Sequence, residues 1–281
     1  MMIPSLRASA PVLRLLVLVL LLISPFSGLC RGETLHQRSS VLLAAKARKA
    51  PADDFSFVVL GDSRGGDRTF SKLLELARSY NPLFILHAGD YSDEGSETET
   101  AKFLALLQRQ VPELPIFVVI GNHENREIFP RYVGPLNFTL DIPRLGFRLV
   151  ALDNADGELR PPEQELLRGE LASAPAAVFA AMHIPPRTGR WRGHTFKKGA
   201  EQLEMILKGS RAQGLFFAHS HLYDRSVFAG IPAFIAGGAG APLVWFTRNG
   251  ETVYHILVVR VRKGKASYQM VPLREEPHRR R

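Results

Sequence analysis

Short apolar runs alternate with amphipathic stretches along most of the chain. Residues 55–60, 83–87, 116–120, 147–152, 178–182 and 215–218 are near-continuous apolar segments of strand length, which predicts strands buried on both faces. Between them the period becomes helical. Phe70, Leu73, Leu74 and Ala77 fall at i, i+3, i+4 and i+7; Phe103, Leu104 and Leu107 form a second stripe, and Leu203, Ile206 and Leu207 a third. Pro161-Pro162 predicts the opening of a further helix carrying Leu166, Leu167 and Leu171, because proline fits a helix only in its first turn. From 231 to 271 the pattern predicts strands broken by Gly237-Gly238-Ala239-Gly240 and by Asn249-Gly250, the latter a hairpin signal. This alternation predicts a single α/β layered domain without internal repeats.

The two ends read differently. Residues 1–30 carry Arg7 and Arg14, no acidic residue, an apolar run over 15–23, and small residues Gly28 and Cys30 before Arg31. This is the pattern of a signal peptide, and it predicts export to a bacterial periplasm or secretion. The run falls short of the ~20 residues of a membrane span, so an uncleaved N-terminal anchor is the secondary reading. Leu29 stands where a lipoprotein site needs a small residue, which argues against lipidation of Cys30. Residues 31–54 are polar and lack a sustained apolar period, which predicts a flexible leader; 55–271 reads as the folded domain, and 272–281 as a basic tail.

Composition narrows the chemistry. With 46% hydrophobic and 22% charged residues over 281 positions, the chain is globular rather than disordered or collagen-like. Its net charge of +9, or +7 without the two leader arginines, favours anionic partners. Cys30 is the only cysteine, which excludes an internal disulfide and a thiolate zinc site, so any metal must be held by His, Asp, Asn or Glu.

Five of the apolar strands run directly into ligand-capable residues: Gly61-Asp62-Ser63-Arg64, Gly89-Asp90 through Asp93, Gly121-Asn122-His123-Glu124, His183-Ile184-Pro185-Pro186, and His219-Ser220-His221. Ligands of open α/β sheets bind at the carboxyl ends of the strands, so these side chains are expected on one rim. The glycines before Asp62, Asp90 and Asn122 are expected to let the backbone turn there. Carboxylates, an amide and imidazoles suit a pair of first-row cations such as Mn, Fe or Zn. Two cations roughly 3.5 to 4 Å apart activate water and stabilise an in-line phosphoryl displacement. Taken singly, each motif is as well explained by a turn, a helix cap or a hydrogen-bonded rim histidine. The ordered set of five is not.

That series resembles the calcineurin-like metallophosphoesterase superfamily over about residues 55–271, and Leu152-Asp153-Asn154, His183-Ile184-Pro185-Pro186 and Gly230-Ile231-Pro232 bring it nearest the purple-acid-phosphatase-like branch. The resemblance implies a four-layer α/β/β/α sandwich and a centre holding two divalent or trivalent ions. It implies Asp62 and His221 as ligands of the first metal, Asp90 as the bridge, and Asn122, His183 and His219 as ligands of the second. His123 would be the proton donor to the leaving oxygen, oriented by Glu124. Chemically these roles are coherent: a carboxylate can bridge two cations, and neutral Asn122 limits the negative charge a phosphate must approach, so it counts as a substrate contact too. Imidazole titrates near neutrality, where protonating an alkoxide is feasible.

Three positions depart from the family pattern. Arg64 stands where a histidine ligand is usual and cannot coordinate a metal; it either clamps substrate phosphate or pairs with a carboxylate, Asp93 or Asp67. Ala218 replaces a glycine before His219, and Asp93 occupies the tyrosine-ligand position of purple acid phosphatases. The loop carrying Arg187, Arg190, Trp191, Arg192 and His194 is either solvated or a phosphate- and base-binding element, with His194 the candidate substrate contact. Asp153-Asn154 is expected to support the rim, and Trp245 and Phe246 to be core. The leading expectation is an exported dimetal phosphoesterase acting on phosphomonoesters or small phosphodiesters. The alternative is a weak or inactive phosphate-binding or nucleotide-binding protein on the same fold. A nucleic-acid substrate is disfavoured because no basic run interleaved with aromatics is present. The arginine-rich tail could add a weak contact with an acidic membrane surface.

Overall fold

The computed structural model describes residues 32–245 and 247–274; the expected signal peptide and most of the basic tail lie outside the described residues. Two sheets pack face to face. The first has the order β11-β10-β1-β2-β3, built from β1 (Asp54–Leu60), β2 (Ile85–His87), β3 (Ile116–Val118), β10 (His255–Arg262) and β11 (Lys265–Pro272). The second runs β4-β5-β6-β7-β9-β8, from β4 (Phe138–Ile142), β5 (Phe147–Ala151), β6 (Ala177–Ala181), β7 (Ala212–Phe217), β8 (Tyr223–Phe228) and β9 (Ile231–Ala236). Strands β1, β2 and β3 are mutually parallel, as are β5, β6, β7 and β9, so the carboxyl ends within each set share one edge of the molecule. Each expected strand forms, with ends displaced by a few residues.

The core explains why these strands read as unbroken apolar runs. Between the sheets Phe57 stacks on Phe84 at 4.9 Å and meets Phe147, Phe179 and Phe216 edge-on. The outer face of the first sheet is covered by α2 (Asp67–Ser79) and α3 (Glu97–Gln110), which bury Phe70, Leu73, Leu74 and Ala77, and Phe103, Leu104 and Leu107, the stripes read from the sequence. The second sheet is covered by α5 (Pro161–Ala172) and α6 (Ala200–Leu207) through Leu167, Leu203 and Leu207. The result is the expected four-layer α/β/β/α sandwich in one domain.

Three expectations are corrected. The stretch 31–54 is not a flexible leader: α1 (Leu35–Lys49) opens with a Thr34–Gln37 capping box and docks on the edge of the first sheet. There the Ser39 hydroxyl accepts from Ile116 N–H at 2.9 Å and donates to its carbonyl at 2.7 Å, covering the open side of edge strand β3. The segment shows no strong periodicity because only Leu35, Ser39, Leu43 and Ala47 turn inward, and one of these is polar. Asn249-Gly250 does not join a hairpin; the two-residue turns of β8–β9 and β10–β11 are Ala229-Gly230 and Lys263-Gly264, all four at positive φ. Of the pair expected in the core, Trp245 is 97% exposed, on the loop after Ala241, and Phe246 lies outside the described residues. Among the described residues no helix is long and apolar enough to cross a membrane.

Candidate metal centre

The carboxyl ends of β1, β2, β3, β6 and β7 bring Asp62, Asp90, Asn122, His183, His219 and His221 together, as the strand-end reading requires. Two donor sets form around a shared carboxylate: Asp90 with His183 and His219, and Asp62 with Asp90 and His221, the donor atoms of each set lying within 4.8 Å of one another. Asn122 Oδ1 completes the first, 2.9 Å from His183 Nε2 and 2.8 Å from His219 Nδ1. Asp90 Oδ2 lies 3.3 Å from His183 Nε2, and His221 Nε2 is 3.8 Å from Asp62 Oδ1.

Backbone contacts select the nitrogen each imidazole presents. His183 Nδ1–H donates to the Ala88 carbonyl and His221 Nδ1–H to the Pro242 carbonyl, both at 2.8 Å, leaving Nε2 of each facing the carboxylates. Asn154 holds the His183 turn, accepting from the His183 and Ile184 N–H groups and donating to the Ile184 carbonyl. Arg126 clamps Asp153 through two nitrogens, so Asp153-Asn154 supports the rim as expected.

The backbone is strained where the ligands sit. Asp62, Asp90, His219 and His221 adopt φ of 60°, 61°, 70° and 41°, a left-handed conformation that costs non-glycine residues on the order of 1–3 kcal/mol each. The left-handed turn thus falls largely on the ligands themselves rather than on Gly61 and Gly121. Gly121 serves close approach instead: a Cβ there would collide with Asp90 Oδ1.

Electrostatics show what the donor set lacks. Asp62 is wholly buried and both its carboxylate oxygens have no hydrogen-bond partner among the described residues, a state that costs several kcal/mol unless a cation completes it. Burial pushes its carboxyl well up, opposed by His183 and reinforced by the Asp90 charge. Burial would lower His183, but the Asp90 carboxylate raises it to about 9, while burial and the His183 charge push His219 down to about 4. For Asp90, burial acts upward and is outweighed by His183, which brings it to about 2. Two carboxylates, one amide and three imidazoles around a bridging oxygen pair therefore fit a dinuclear cation centre.

The two expected catalytic residues take different places. His123 is held by its Nδ1–H on the Asp93 carbonyl at 2.7 Å, with Nε2 4.0 Å from Asp90 Oδ2. Glu124 does not orient that ring, which corrects the expectation. Its buried carboxylate accepts from the N–H groups of Gly121, Asp90, Tyr91 and Ser92 and from the Ser92 hydroxyl, tying the β2 and β3 loops together. Glu124 follows Asn122 by two residues, and only the fold shows that its side chain turns away from His123.

The remaining positions divide. Arg64 pairs with Asp93 at 2.7 Å, not Asp67, and its Nε is buried without a partner among the described residues. His194 lies with its ring 5.8 Å from His219, on a cleft of about 570 Å³ also lined by Arg192, Lys197, Lys198 and Glu158. Trp191 is buried, donating from Nε1 to Asp224 beside Arg190, so neither serves as the base platform or free phosphate clamp considered above. Sequence reasoning missed Asp93's carbonyl, Asp224 and His87, whose Nε2–H donates to Ser63 Oγ while Nδ1 accepts from Gly89 N–H. A backbone carbonyl or a buried hydrogen-bonded pair leaves no mark in a motif.

The sequence profile described as calcineurin-like phosphoesterase matches residues 55–223. Among solved structures, the chain is similar to the purple acid phosphatase PPD1 from yellow lupin (Lupinus luteus) seeds, with TM-score 0.63, 14% identity, and coverage of 79% of this chain and 52% of that one. It spans about half of that protein's length. It is similar to a dimetal phosphatase from Danio rerio, with TM-score 0.57, 10% identity and coverage of 77% and 98%. The GAP50 anchor of the inner membrane complex of Plasmodium also shares the fold, at TM-score 0.60, 11% identity and coverage of 78% and 85%. No curated protein sequence matches.

Proposed function

The chain belongs to the calcineurin-like phosphoesterase family, and from that premise we propose that it is an exported, dimetal-dependent phosphoric ester hydrolase acting on phosphomonoesters or small phosphodiesters. The observation that carries the proposal is the Asp62 carboxylate, sealed from solvent with both oxygens unpartnered, beside an Asp90 shared by two donor sets. Asp62, Asp90 and His221 would hold one cation, and Asp90, Asn122, His183 and His219 the other. Bound there, a cation pair supplies Lewis-acid polarisation of the phosphoryl group and activation of water.

The chain's own residues do the rest. His123, fixed through Nδ1–H on the Asp93 carbonyl, keeps Nε2 free, and the imidazolium form, with protons on both nitrogens, hands the Nε2 proton to the leaving oxygen and returns to the neutral ring. Arg64 approaches the phosphate with the guanidinium edge that Asp93 does not occupy, and His194 meets the leaving group across the cleft it shares with His219. Export rests on the leader pattern of residues 1–30. A second reading, a phosphate-binding or nucleotide-binding protein of little activity, draws on Arg64 in the usual place of a histidine ligand.

Metal content and turnover on the same purified protein decide between them. p-Nitrophenyl phosphate and its bis ester are compared after supplementing Mn, Fe or Zn, with Asp90→Asn as control. Two metals per chain and turnover lost in the variant are expected. Phosphate binding without turnover of either ester, under any supplement, selects the second reading.

A further inference from the structure

Two loops border the metal centre, and both carry surface chemistry that the proposed reaction does not use. One follows the β6 end at His183 and spans 185–199; the other spans 241–251. The second loop is fastened to the centre itself: Ala241 N–H donates to the Asp62 carbonyl, the Pro242 carbonyl holds His221 Nδ1, and Val244 N–H donates to the His221 carbonyl. The loops also meet each other, Asn249 Nδ2 donating to the Arg190 carbonyl at 3.3 Å.

The 241–251 loop contains the uninterrupted apolar run Pro242-Leu243-Val244-Trp245-Phe246 followed by Thr247-Arg248. A run of this kind ordinarily turns inward. Here Pro242 is exposed, Leu243 and Val244 are only half-buried, and Trp245 is 97% exposed, the most exposed large hydrophobic side chain among the described residues. The charge carried by the two loops is one-sided. The two loops hold six cations, Arg187, Arg190, Arg192, Lys197, Lys198 and Arg248, against one carboxylate, Glu251. Arg190 is engaged with buried Asp224 and Lys198 with Glu158, whereas Arg187, Arg192, Lys197 and Arg248 are exposed and form no ion pair among the described residues.

An exposed tryptophan in an apolar loop that also carries Arg248, joined at Asn249 to a second loop bearing Arg187, Arg192 and Lys197, matches the interface of an anionic bilayer: the indole sits at the headgroup level and the cations meet lipid phosphates. A soluble nucleotide would account for the tryptophan and the cations but not for the exposed and half-exposed Pro242, Leu243 and Val244 beside them. We propose that the 241–251 loop, with the cations of 185–199, docks the protein on an anionic membrane surface, the rim of the metal centre facing the lipid.

The two tryptophans of the chain make the test specific, because Trp191 is 5% exposed and only Trp245 is placed to report a change of solvent. The full chain is mixed with vesicles of phosphatidylcholine alone and of phosphatidylcholine with phosphatidylglycerol, and followed by co-sedimentation and tryptophan emission. Binding to the anionic vesicles with a blue shift is expected, weakening as salt is raised. Arg248→Glu should weaken it by more than the roughly fivefold that one interfacial cation contributes. Trp245→Ala should abolish the blue shift and reduce binding about tenfold or more, with hydrolysis of p-nitrophenyl phosphate unchanged. Any contribution of the leader or the basic tail is common to wild type and variants, so it cancels. The proposal is overturned if anionic vesicles do not bind the wild type, if Trp245→Ala binds as wild type does, or if soluble nucleotide and not vesicles changes the Trp245 emission. Vesicle binding is read without turnover, so failure of the hydrolase reading and failure of this one are separate outcomes.

Discussion

Replacing Glu124 by glutamine changes one atom and should damage the fold rather than the proton transfer. In the native site Oε2 accepts from Asp90 and Gly121 N–H at 2.9 and 2.7 Å, while Oε1 accepts from Tyr91 and Ser92 N–H and from the Ser92 hydroxyl at 2.9, 3.2 and 3.1 Å. A glutamine can place its carbonyl on one side only. Its NH2 then faces at least two N–H groups that have lost their acceptor in a site 8% exposed. Each stranded buried donor costs about 1–3 kcal/mol, so Glu124→Gln should lose about 2–6 kcal/mol. For a domain of this size that corresponds to a fall in Tm of about 5–20 °C. Urea and thermal unfolding of the chain, with metal and without, measure it. A glutamine variant within about 0.5 kcal/mol of wild type, but with kcat depressed, would refute this reasoning and return Glu124 to the role of orienting His123.

Further outcomes follow from the same geometry. In the metal-free protein the raised His183 value, about 9 against an ordinary 6.5, means its pairing with Asp90 stabilises fully below about pH 6.5 and is lost as pH rises through about 9. A metal must displace that proton, so affinity should climb by up to about tenfold per pH unit from pH 7 to 9 and flatten above. Titration calorimetry in buffers of different ionisation enthalpy should find about one proton released from His183; uptake independent of pH and buffer would contradict it. Ser39→Ala removes both hydrogen bonds that cover Ile116 at the edge of β3, and should cost about 2 kcal/mol in urea unfolding. An unchanged midpoint would show that these two hydrogen bonds add nothing to the edge of β3.

Much of this was legible in one dimension because its causes are local. Strands buried on both faces must be continuous apolar runs, and helices packed on one side must show a period near 3.6, so residues 55–60 and 178–182, and the Phe70 and Phe103 stripes, identify themselves. Metal donors need particular atoms at strand ends, and six of them were readable as residue types in order: Asp62, Asp90, Asn122, His183, His219 and His221. What the tertiary structure alone decided depends on partners distant along the chain. Ser39 in an apparently featureless leader becomes the cover of an edge strand 77 residues away. Glu124 turns to four backbone N–H groups instead of its neighbour's ring, and Asp93, read as a substituted ligand, offers its carbonyl to His123 and its carboxylate to Arg64. Trp245, apolar and therefore assigned inward, is 97% exposed on a loop whose neighbouring residues are pinned by Asp62 and His221 at the rim. Side-chain chemistry can be read position by position, but the direction a side chain takes is set by which backbone groups the folded chain brings within hydrogen-bonding reach.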